Sequence, residues 1–487
     1  MEGKKIKPVV YLIGAGPGDP ELLTIKAQRI LASADVVLYD YLAHPNIVMM
    51  AHKAHKVCVG KKKGVNSMHQ DQIHELLLAY AKTHLVIVRL KGGDPMIFGR
   101  CGEEMHVLKS HGIQYEIIPG ITSAIAAPTY AGIPVTHRDH SHSVAFVTAT
   151  RANDIQNMNI PTADTLILMM ALLRIKPLVQ RLLELRSKST PITIIESGTL
   201  AGEKRLTGTL ETILDLQESA QLKPPALMVV GDVAALGAEF NWRDHLPLRQ
   251  QRFVVFRAIH QQSELRDELA RLGAEVLTLP LNEIKRNETS LSSVDLNQYT
   301  HVVFTSENGV KSFFESLTIL QKDIRELAHC MIIAIGQHTA QCLTQFGIYA
   351  DMIPDMANSD QIIKQLKPQL STNHSILIPT SSEASEDMKT QLIQSGAHVD
   401  QIPIYFNHSP STLALGLEWI KPTDHFIFMN SVAVKRFYSE LQGQKPGDKI
   451  FSIGPKTTST LKSFNIESSI QASEPTIPSL IDAILKS

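Results

Sequence analysis

At 487 residues, with 44% hydrophobic and 20% charged side chains, the chain is too long for one core and too apolar for general disorder. About two to four globular domains are expected. A formal net charge of −1 excludes a broad electrostatic surface for nucleic acid or membrane. Four scattered cysteines (Cys58, Cys101, Cys330 and Cys342) have no C-x-x-C spacing, which gives neither a disulfide framework nor a structural zinc site and fits a reducing compartment. The opening MEGKKIKPVVYLIG lacks a long apolar stretch ending in a small-residue cleavage site. The longest apolar run, Leu166 to Leu173, is far below the roughly 20 residues that a membrane helix needs. A cytoplasmic protein with no nucleic-acid or membrane partner is expected.

In chain order, Val9–Ile13, Val36–Tyr39, Val57–Val59, Leu85–Arg89 and Tyr115–Ile118 read as buried strands, with helical stretches such as Glu21–Ser33 and Asp71–Lys82 between them. That alternation predicts an α/β sheet covered by helices. A Gly/Pro/His stretch from Gly132 to Ser143 interrupts the pattern, and a lobe boundary is placed near residue 136. Val144–Thr148, Thr165–Met170, Ile192–Ile195 and Ala226–Val230 then form a second α/β run. The polar, irregular NWRDHLPLRQQ segment, from Asn241 to Gln251, marks the main domain junction, with a new strand starting at Phe253.

Beyond the junction the chain repeats itself. FTSENGVKSFF from Phe304 aligns with FMNSVAVKRFY from Phe428, 124 residues on. IIAIGQHTAQCLTQFGI from Ile332 aligns with IFSIGPKTTSTLKSFNI from Ile450, 118 residues on, and Gly273-Ala274 with Pro280 matches Gly396-Ala397 with Pro403. Three blocks in one order at nearly one spacing predict two similar α/β lobes from an internal duplication.

The segment YLIGAGPGDPELLTIKAQRILASADVVLYD has the strand, glycine turn, helix and acid of a dinucleotide site. Its detail disagrees. The glycines Gly14, Gly16 and Gly18 are followed by Asp19, whose carboxylate would repel a pyrophosphate, and Pro17 removes an amide donor. The nicotinamide reading is therefore weak.

GAGPGDP with the LLT after it, VRLKGGDPMIFGR from Val88 and PGITSAIAAPTYAGIPVTHRD from Pro119 together resemble the tetrapyrrole methylase family, and more narrowly uroporphyrinogen-III C-methyltransferases. The resemblance covers essentially residues 8–245. It implies a two-lobed α/β domain over 1–247 (lobes about 1–136 and 137–247), commonly dimeric, with S-adenosyl-L-methionine held between lobes. It further implies that Pro17, Gly92, Gly93, Asp94, Ile97, Thr122, Ser123, Met170 and Gly198 line the donor site, with Ala226 a further candidate. Gly92-Gly93 follows a buried strand, where glycine lets backbone approach a ligand; for Gly198 plain turn-making is an equal reading.

Carbon methylation of an electron-rich pyrrole needs alignment of donor and acceptor and removal of one proton. Asp40, ending the strand VVLYD, sits where α/β sheets present ligand groups, and the resemblance makes it the proton acceptor. Lys61 in VGKKKG matches a proposed proton donor. A helix cap for Asp40 and a solvated cationic run for Lys61–Lys63 are the bland readings. The implied substrate is a polycarboxylate, so Arg89, Lys91, Arg100, His137 and Arg138 are candidate carboxylate partners. His137, His140 and His142 lack an acid or thiol partner at metal-binding spacing, so no metal site is expected. The chain departs from the family pattern at Ala149, Thr150, Met169, Ala171, Cys101 and Asn66. A Cβ in place of a family glycine crowds a ligand unless the backbone shifts.

The duplicated half, through VFTSENGV, AIGQHTA, GAHVDQIPIY and SIGPKTTSTL, resembles uroporphyrinogen-III synthase. It would form a two-lobed, flavodoxin-like domain over 250–487, with lobe 250–283 plus 408–487 and an inserted lobe 284–407. The resemblance assigns Tyr405 to water loss, and Ser306, Thr339 and Thr457 to substrate carboxylates. Helix N-capping is an equal reading for the threonines, and interlobe packing for Tyr405. Three rivals stand beside this fusion: a methylase of the same family with another substrate, a non-catalytic scaffold, and a nicotinamide oxidoreductase.

Overall fold

The computed structural model describes residues 7–60, 68–149, 155, 158–256, 263–281, 283–287, 289–356, 358–408, 410, 413–440 and 449–487. Short runs of β-branched and aliphatic residues form β1 (Val9–Gly14), β2 (Val36–Tyr39), β3 (His55–Cys58), β4 (Val86–Lys91) and β5 (Gln114–Ile118). They make one parallel sheet in the order β3-β2-β4-β1-β5. β2 is buried at every residue, as expected of a strand covered by helices on both faces. The predicted helix at 21–33 starts later. A 3-10 turn, Pro20–Leu22, comes first, and the helix Ile25–Ala32 follows, capped by Thr24 accepting from the Ala27 amide. The helix expected over 71–82 spans Gln70–Tyr80.

β6 (Val144–Thr148), β7 (Thr165–Met169), β8 (Pro191–Glu196), β9 (Lys204–Thr209) and β10 (Ala226–Val230) form a mixed sheet, β6-β7-β10-β8-β9. β6 and β7 are parallel, and the other neighbours are antiparallel. β9 was not anticipated. It is a polar edge strand, KRLTGT, with no fully buried residue, so it carries none of the apolar run that marks the others.

The strands that follow are β11 (Arg252–Phe256), β12 (Glu275–Thr278), β13 (Glu283–Arg286), β14 (His301–Phe304), β15 (Met331–Ala334), β16 (Ser375–Ser381), β17 (His398–His408), β18 (His425–Phe428), β19 (Ile450–Ser452) and β20 (Ser469–Gln471). They build two sheets, β12-β11-β18-β19-β20 and β13-β17-β16-β14-β15. The repeat seen in sequence reappears as register. Arg252 pairs with Glu275 as Ser375 pairs with His398, Phe253 with His425 as Ile376 with His301, and Phe426 with Ile450 as Val302 with Ile332. β12-β11-β18-β19 and β17-β16-β14-β15 are therefore the same four-strand unit. Residues Pro280–Leu413 form one compact unit and Met1–Leu279 with Ala414–Ser487 the other. In the smaller unit β13 and β17 run antiparallel, Glu283 opposite His408 and Arg286 opposite Tyr405.

At the carboxyl edge of the first sheet, three glycines meet backbone to backbone. A Cβ at Gly120 would lie 2.3 Å from the Gly93 carbonyl oxygen, and one at Gly14 would lie 2.6 Å from the same atom. Gly16 and Gly93 exchange two amide–carbonyl bonds of 2.7 and 3.1 Å, locking the turn after β1 to the turn after β4. These two turns leave the central strands on opposite sides, which is the switch point where open α/β sheets bind ligands. In the larger unit, Arg252 on β11 joins Glu275 (2.7 Å) and Asp424 (2.9 Å), all three nearly buried. Burial raises the Glu275 carboxyl, but the adjacent His44 ring, the charge of Arg252 and the Ala201 amide outweigh it and bring the group down to about 2.

Two outcomes follow from this packing. Gly120→Ala should lose stability at the upper end of the roughly 1–3 kcal/mol of overpacking, whereas Gly102→Ala, in a helix with nothing within 4 Å of the new Cβ, should not; urea unfolding measures both. A carboxyl depressed from 4.5 to about 2 stabilises the fold above its unfolded value and loses that contribution as pH falls from about 4.5 to about 2. The destabilisation caused by Glu275→Gln should therefore be full at pH 6 and shrink toward pH 2 in acid-unfolding curves.

Candidate active sites

β4 is an apolar strand that carries two buried cations, Arg89 and Lys91. Buried charge must be paired, and here the partner is Glu104, 0% exposed, on the helix Cys101–Ser110. Glu104 Oε1 accepts from Arg89 Nε (3.1 Å), Lys91 Nζ (2.8 Å) and Gln70 Nε2 (3.2 Å). The other end of Arg89 donates from Nη2 to Asp40 Oδ1 at 2.6 Å. Asp40 follows β2, its amide bonded to the Leu90 carbonyl (3.1 Å) and its side chain 29% exposed. Among the described residues no other side chain bonds this carboxylate. Burial and the neighbouring Arg89 lower the Lys91 ammonium from its usual range. Arg89 and Lys91, expected to meet substrate carboxylates, are instead enclosed and committed to Glu104, with Arg89 holding Asp40 in place.

Beside Asp40 stands the Gly92-Gly93 turn. A Cβ at Gly92 would meet only the Leu42 side chain (3.3 Å), and one at Gly93 nothing closer than 3.7 Å, so protein does not fill the space above the turn. Gly93 has φ +67°, which favours glycine. Asp94 is spent on structure: its two oxygens accept the Met96 and Gly120 amides (2.8 and 3.0 Å), tying this turn to the one after β5. Ile97 is half-buried on the same turn, its amide on the Asp94 carbonyl. Thr122 caps the helix Ser123–Tyr130, and the backbone of Thr122 and Ser123 forms the nearest wall to Gly93. Pro17 is half-buried between Gly16 and Gly18. Asp19 accepts from the Tyr130 hydroxyl (2.8 Å) and the Glu21 amide (2.9 Å), so it serves as a structural cap in this turn.

From the second sheet, Met170 follows β7 with φ +56° and an exposed side chain. Its neighbours point elsewhere: Ala171 is fully buried in the core with Leu166 and Leu178, and Met169 packs on the cluster that includes Ala124 and Ala127. Gly198 has a packing reason, since a Cβ there would lie 2.4 Å from that of Ala127. Ala226 opens β10, half-buried and opposite Glu196. Five non-glycine residues with left-handed backbone, Phe98, Arg100, Met170, Ser197 and Thr199, lie on the loops after β4, β7 and β8. Such conformations cost of order 1–3 kcal/mol each and collect at functional sites. The same loops, with those after β2 and β5, bear the exposed apolar side chains of Leu42, Met96, Phe98 and Ile121. Arg100 is exposed and paired with Glu103 (2.6 Å); Arg138 is exposed in the turn after Val135. Lys61, Asn66 and Thr150 lie outside the described residues.

In the smaller unit, Tyr405 on β17 and Ser306 come together, Oη to Oγ 3.2 Å. Ser306 caps the helix Glu307–Ile319, its oxygen accepting the Gly309 amide (3.0 Å). Burial pushes the Tyr405 phenol up, so it stays protonated at neutral pH. Thr339 is not a cap: Gly336 holds that place, and Thr339 is the third residue of the helix Gln337–Thr344, buried. In the larger unit Thr457 has the same position behind Gly454.

Sequence reading missed Glu104 and the packing of Gly14 against Gly120. The signal for Glu104 was available, because two cations inside VIVRLK demand a buried acid. The glycine contact joins residues over a hundred positions apart and leaves no local trace.

Residues 9–214 match the family Tetrapyrrole (Corrin/Porphyrin) Methylases, and residues 263–482 match Uroporphyrinogen-III synthase HemD. Among relatives, a porphyrin biosynthesis protein HemD of Ruminiclostridium josui is 30% identical over 495 residues, covering 98% of this chain and 97% of the relative. A uroporphyrinogen-III C-methyltransferase of Bacillus subtilis is 33% identical over 84% of this chain and 86% of its own length. One from Methanocaldococcus jannaschii is 46% identical over 46% of this chain and 96% of its own length, so its likeness is confined to one half. The Arg89–Asp40 pair with its open glycine turn thus lies in the part matched by the first family and the Tyr405–Ser306 pair in the part matched by the second, and the chain belongs to the tetrapyrrole methylases in its first half and to the uroporphyrinogen-III synthases in its second.

Proposed function

We propose that the chain performs two consecutive steps: its second half closes hydroxymethylbilane to uroporphyrinogen III, and its first half C-methylates that ring from S-adenosyl-L-methionine to precorrin-2. The observation that carries the methylation reading is an Asp40 carboxylate oriented by Arg89 at 2.6 Å beside a glycine turn that protein leaves unfilled. The donor fits that turn, whose exposed backbone and apolar neighbours suit a ligand with both polar and thioether parts. S-adenosyl-L-methionine supplies the activated methyl group.

The chain's own part is positioning and proton removal. Gly92, Gly93, Thr122 and Ser123 bring backbone to the donor face, with Pro17, Ile97, Met170, Gly198 and Ala226 completing the wall, and Asp94 holding two of its turns together. Asp40 accepts the pyrrole proton after carbon attack, and Arg89, fixed by Glu104, keeps Oδ1 occupied so that Oδ2 faces the substrate. Lys61 is the proposed proton donor, and Arg100 and Arg138, both exposed, are the cations for substrate carboxylates. In the synthase half, the protonated Tyr405 hydroxyl at the amino end of a helix assists departure of water, and Ser306, Thr339 and Thr457 hold carboxylates. No helix among the described residues is long and apolar enough to cross a membrane. A cytoplasmic homodimer joined through the methylase half belongs to the same proposal, on the strength of family resemblance.

Purified protein given hydroxymethylbilane should yield the type III macrocycle alone, and with S-adenosyl-L-methionine its dimethylated derivative, resolved by chromatography and mass. Asp40→Asn should lower methyl transfer on the order of 10²–10⁴-fold and keep ring closure; lost closure would contradict two separate sites. Tyr405→Phe should slow formation of the type III isomer while methylation of supplied uroporphyrinogen III continues. A chain that binds NAD and not the sulfonium donor would refute the reading.

A further inference from the structure

Glu275, the first residue of β12, carries a nearly buried carboxylate that reaches from the synthase half into the methylase half. Its Oε2 accepts the Ala201 amide at 2.8 Å, and its Oε1 lies 3.5 Å from His44 Nε2 and 2.7 Å from Arg252 Nε. His44 Nδ1 accepts the Asn46 amide (3.2 Å), so the ring proton is on Nε2, facing Glu275. Asn46 meanwhile closes the free edge of β12, donating to the Val276 carbonyl (2.7 Å) and accepting from the Thr278 amide (3.0 Å).

The two loops held by this carboxylate are those that carry the methylase site. His44 ends the turn that begins at Asp40, closed by the Ala43 amide on the Asp40 carbonyl (2.9 Å). Ala201 ends the turn of Gly198, in which Thr199 Oγ1 takes the Asp19 amide (3.2 Å) and Leu200 packs over Gly18. One turn belongs to the first sheet and the other to the second, so Glu275 ties the two methylase lobes together from outside. It is not the sole contact: Trp419 also packs on the first-lobe core and edge-on against Tyr39, at 6.4 Å. A buried ion adds little net affinity over an apolar replacement, but it fixes direction.

We infer that Glu275 is a positioning residue for methyl transfer, setting the Asp40 turn and the Gly198–Ala201 turn at their working separation, so that the synthase half is part of the methylase machinery. This rests on the proposed methylation activity. A displacement of about 1 Å at such a site costs on the order of 10²-fold in rate.

The test uses the full chain, uroporphyrinogen III and S-adenosyl-L-methionine. Glu275→Ala should lower kcat/KM for methylation by about 10²-fold, while ring closure of hydroxymethylbilane stays within about twofold. His44→Leu fills the same space without a donor and should lower kcat, with little change in KM for the donor. His44→Gln keeps an N–H toward Glu275, loses the Nδ1 cap as Leu does, and should restore most of the rate. Methylation within about twofold of wild type in Glu275→Ala, or Leu and Gln behaving alike at position 44, overturns the inference, as does parallel loss of both activities in Glu275→Ala and His44→Leu. Wild-type methylation and calorimetric donor binding in the same series report on the activity itself, so failure of the clamp and failure of the activity are distinguishable.

Discussion

The methylase half depends on backbone meeting backbone at Gly14, Gly93 and Gly120. Side chains at Gly14 or Gly120 would press into the Gly93 carbonyl and hold the strand ends apart, while Gly93 itself is needed for its left-handed backbone and its exchange with Gly16. Once the strand ends are drawn together, the turns after them diverge, and the space between is bounded by amides, carbonyls and a few apolar side chains. Asp94 secures the arrangement with two amide bonds that an asparagine could only partly reproduce.

A second constraint is electrostatic. Glu104, with no exposure, gathers Arg89, Lys91 and Gln70 on one oxygen, and Arg89 carries that order outward to Asp40. A base that must take a proton from carbon gains from a fixed direction, and a planar guanidinium held at both ends supplies it. The synthase half has a lighter counterpart: a phenol and a serine joined at a helix start, suited to a reaction in which holding a chain in shape matters more than acid strength.

Most of this architecture was readable from the residues alone. The apolar runs of the first two sheets fell where strands stand, and the 118–124-residue spacing of the repeat became matched register, because both are local or periodic properties that a linear text preserves. The polar edge strand β9 was lost because its partners, not its composition, make it a strand. Asp40, the Gly92-Gly93 turn, Tyr405 and Ser306 are each legible as candidates in the sequence, but the contact between Tyr405 and Ser306 is not, and Arg89 and Lys91, which read there as substrate contacts, are enclosed in the fold. Charge type is visible in sequence; burial, which decides whether a cation faces a ligand or an internal acid, is a property of the fold.

The antiparallel pairing of β13 with β17 bears on how such a chain could acquire and tolerate its insertion. With Glu283 opposite His408, the visiting segment begins and ends at nearly the same point in space. The interrupted sheet therefore experiences it as a short loop, and because closure entropy grows only with the logarithm of loop length, the added penalty is small. The visitor's own contacts are contiguous in sequence, while those joining β11 to β18 span it entirely. Kinetics should follow that asymmetry, the guest lobe condensing first and its clasped ends then delivering the two halves of the host to each other.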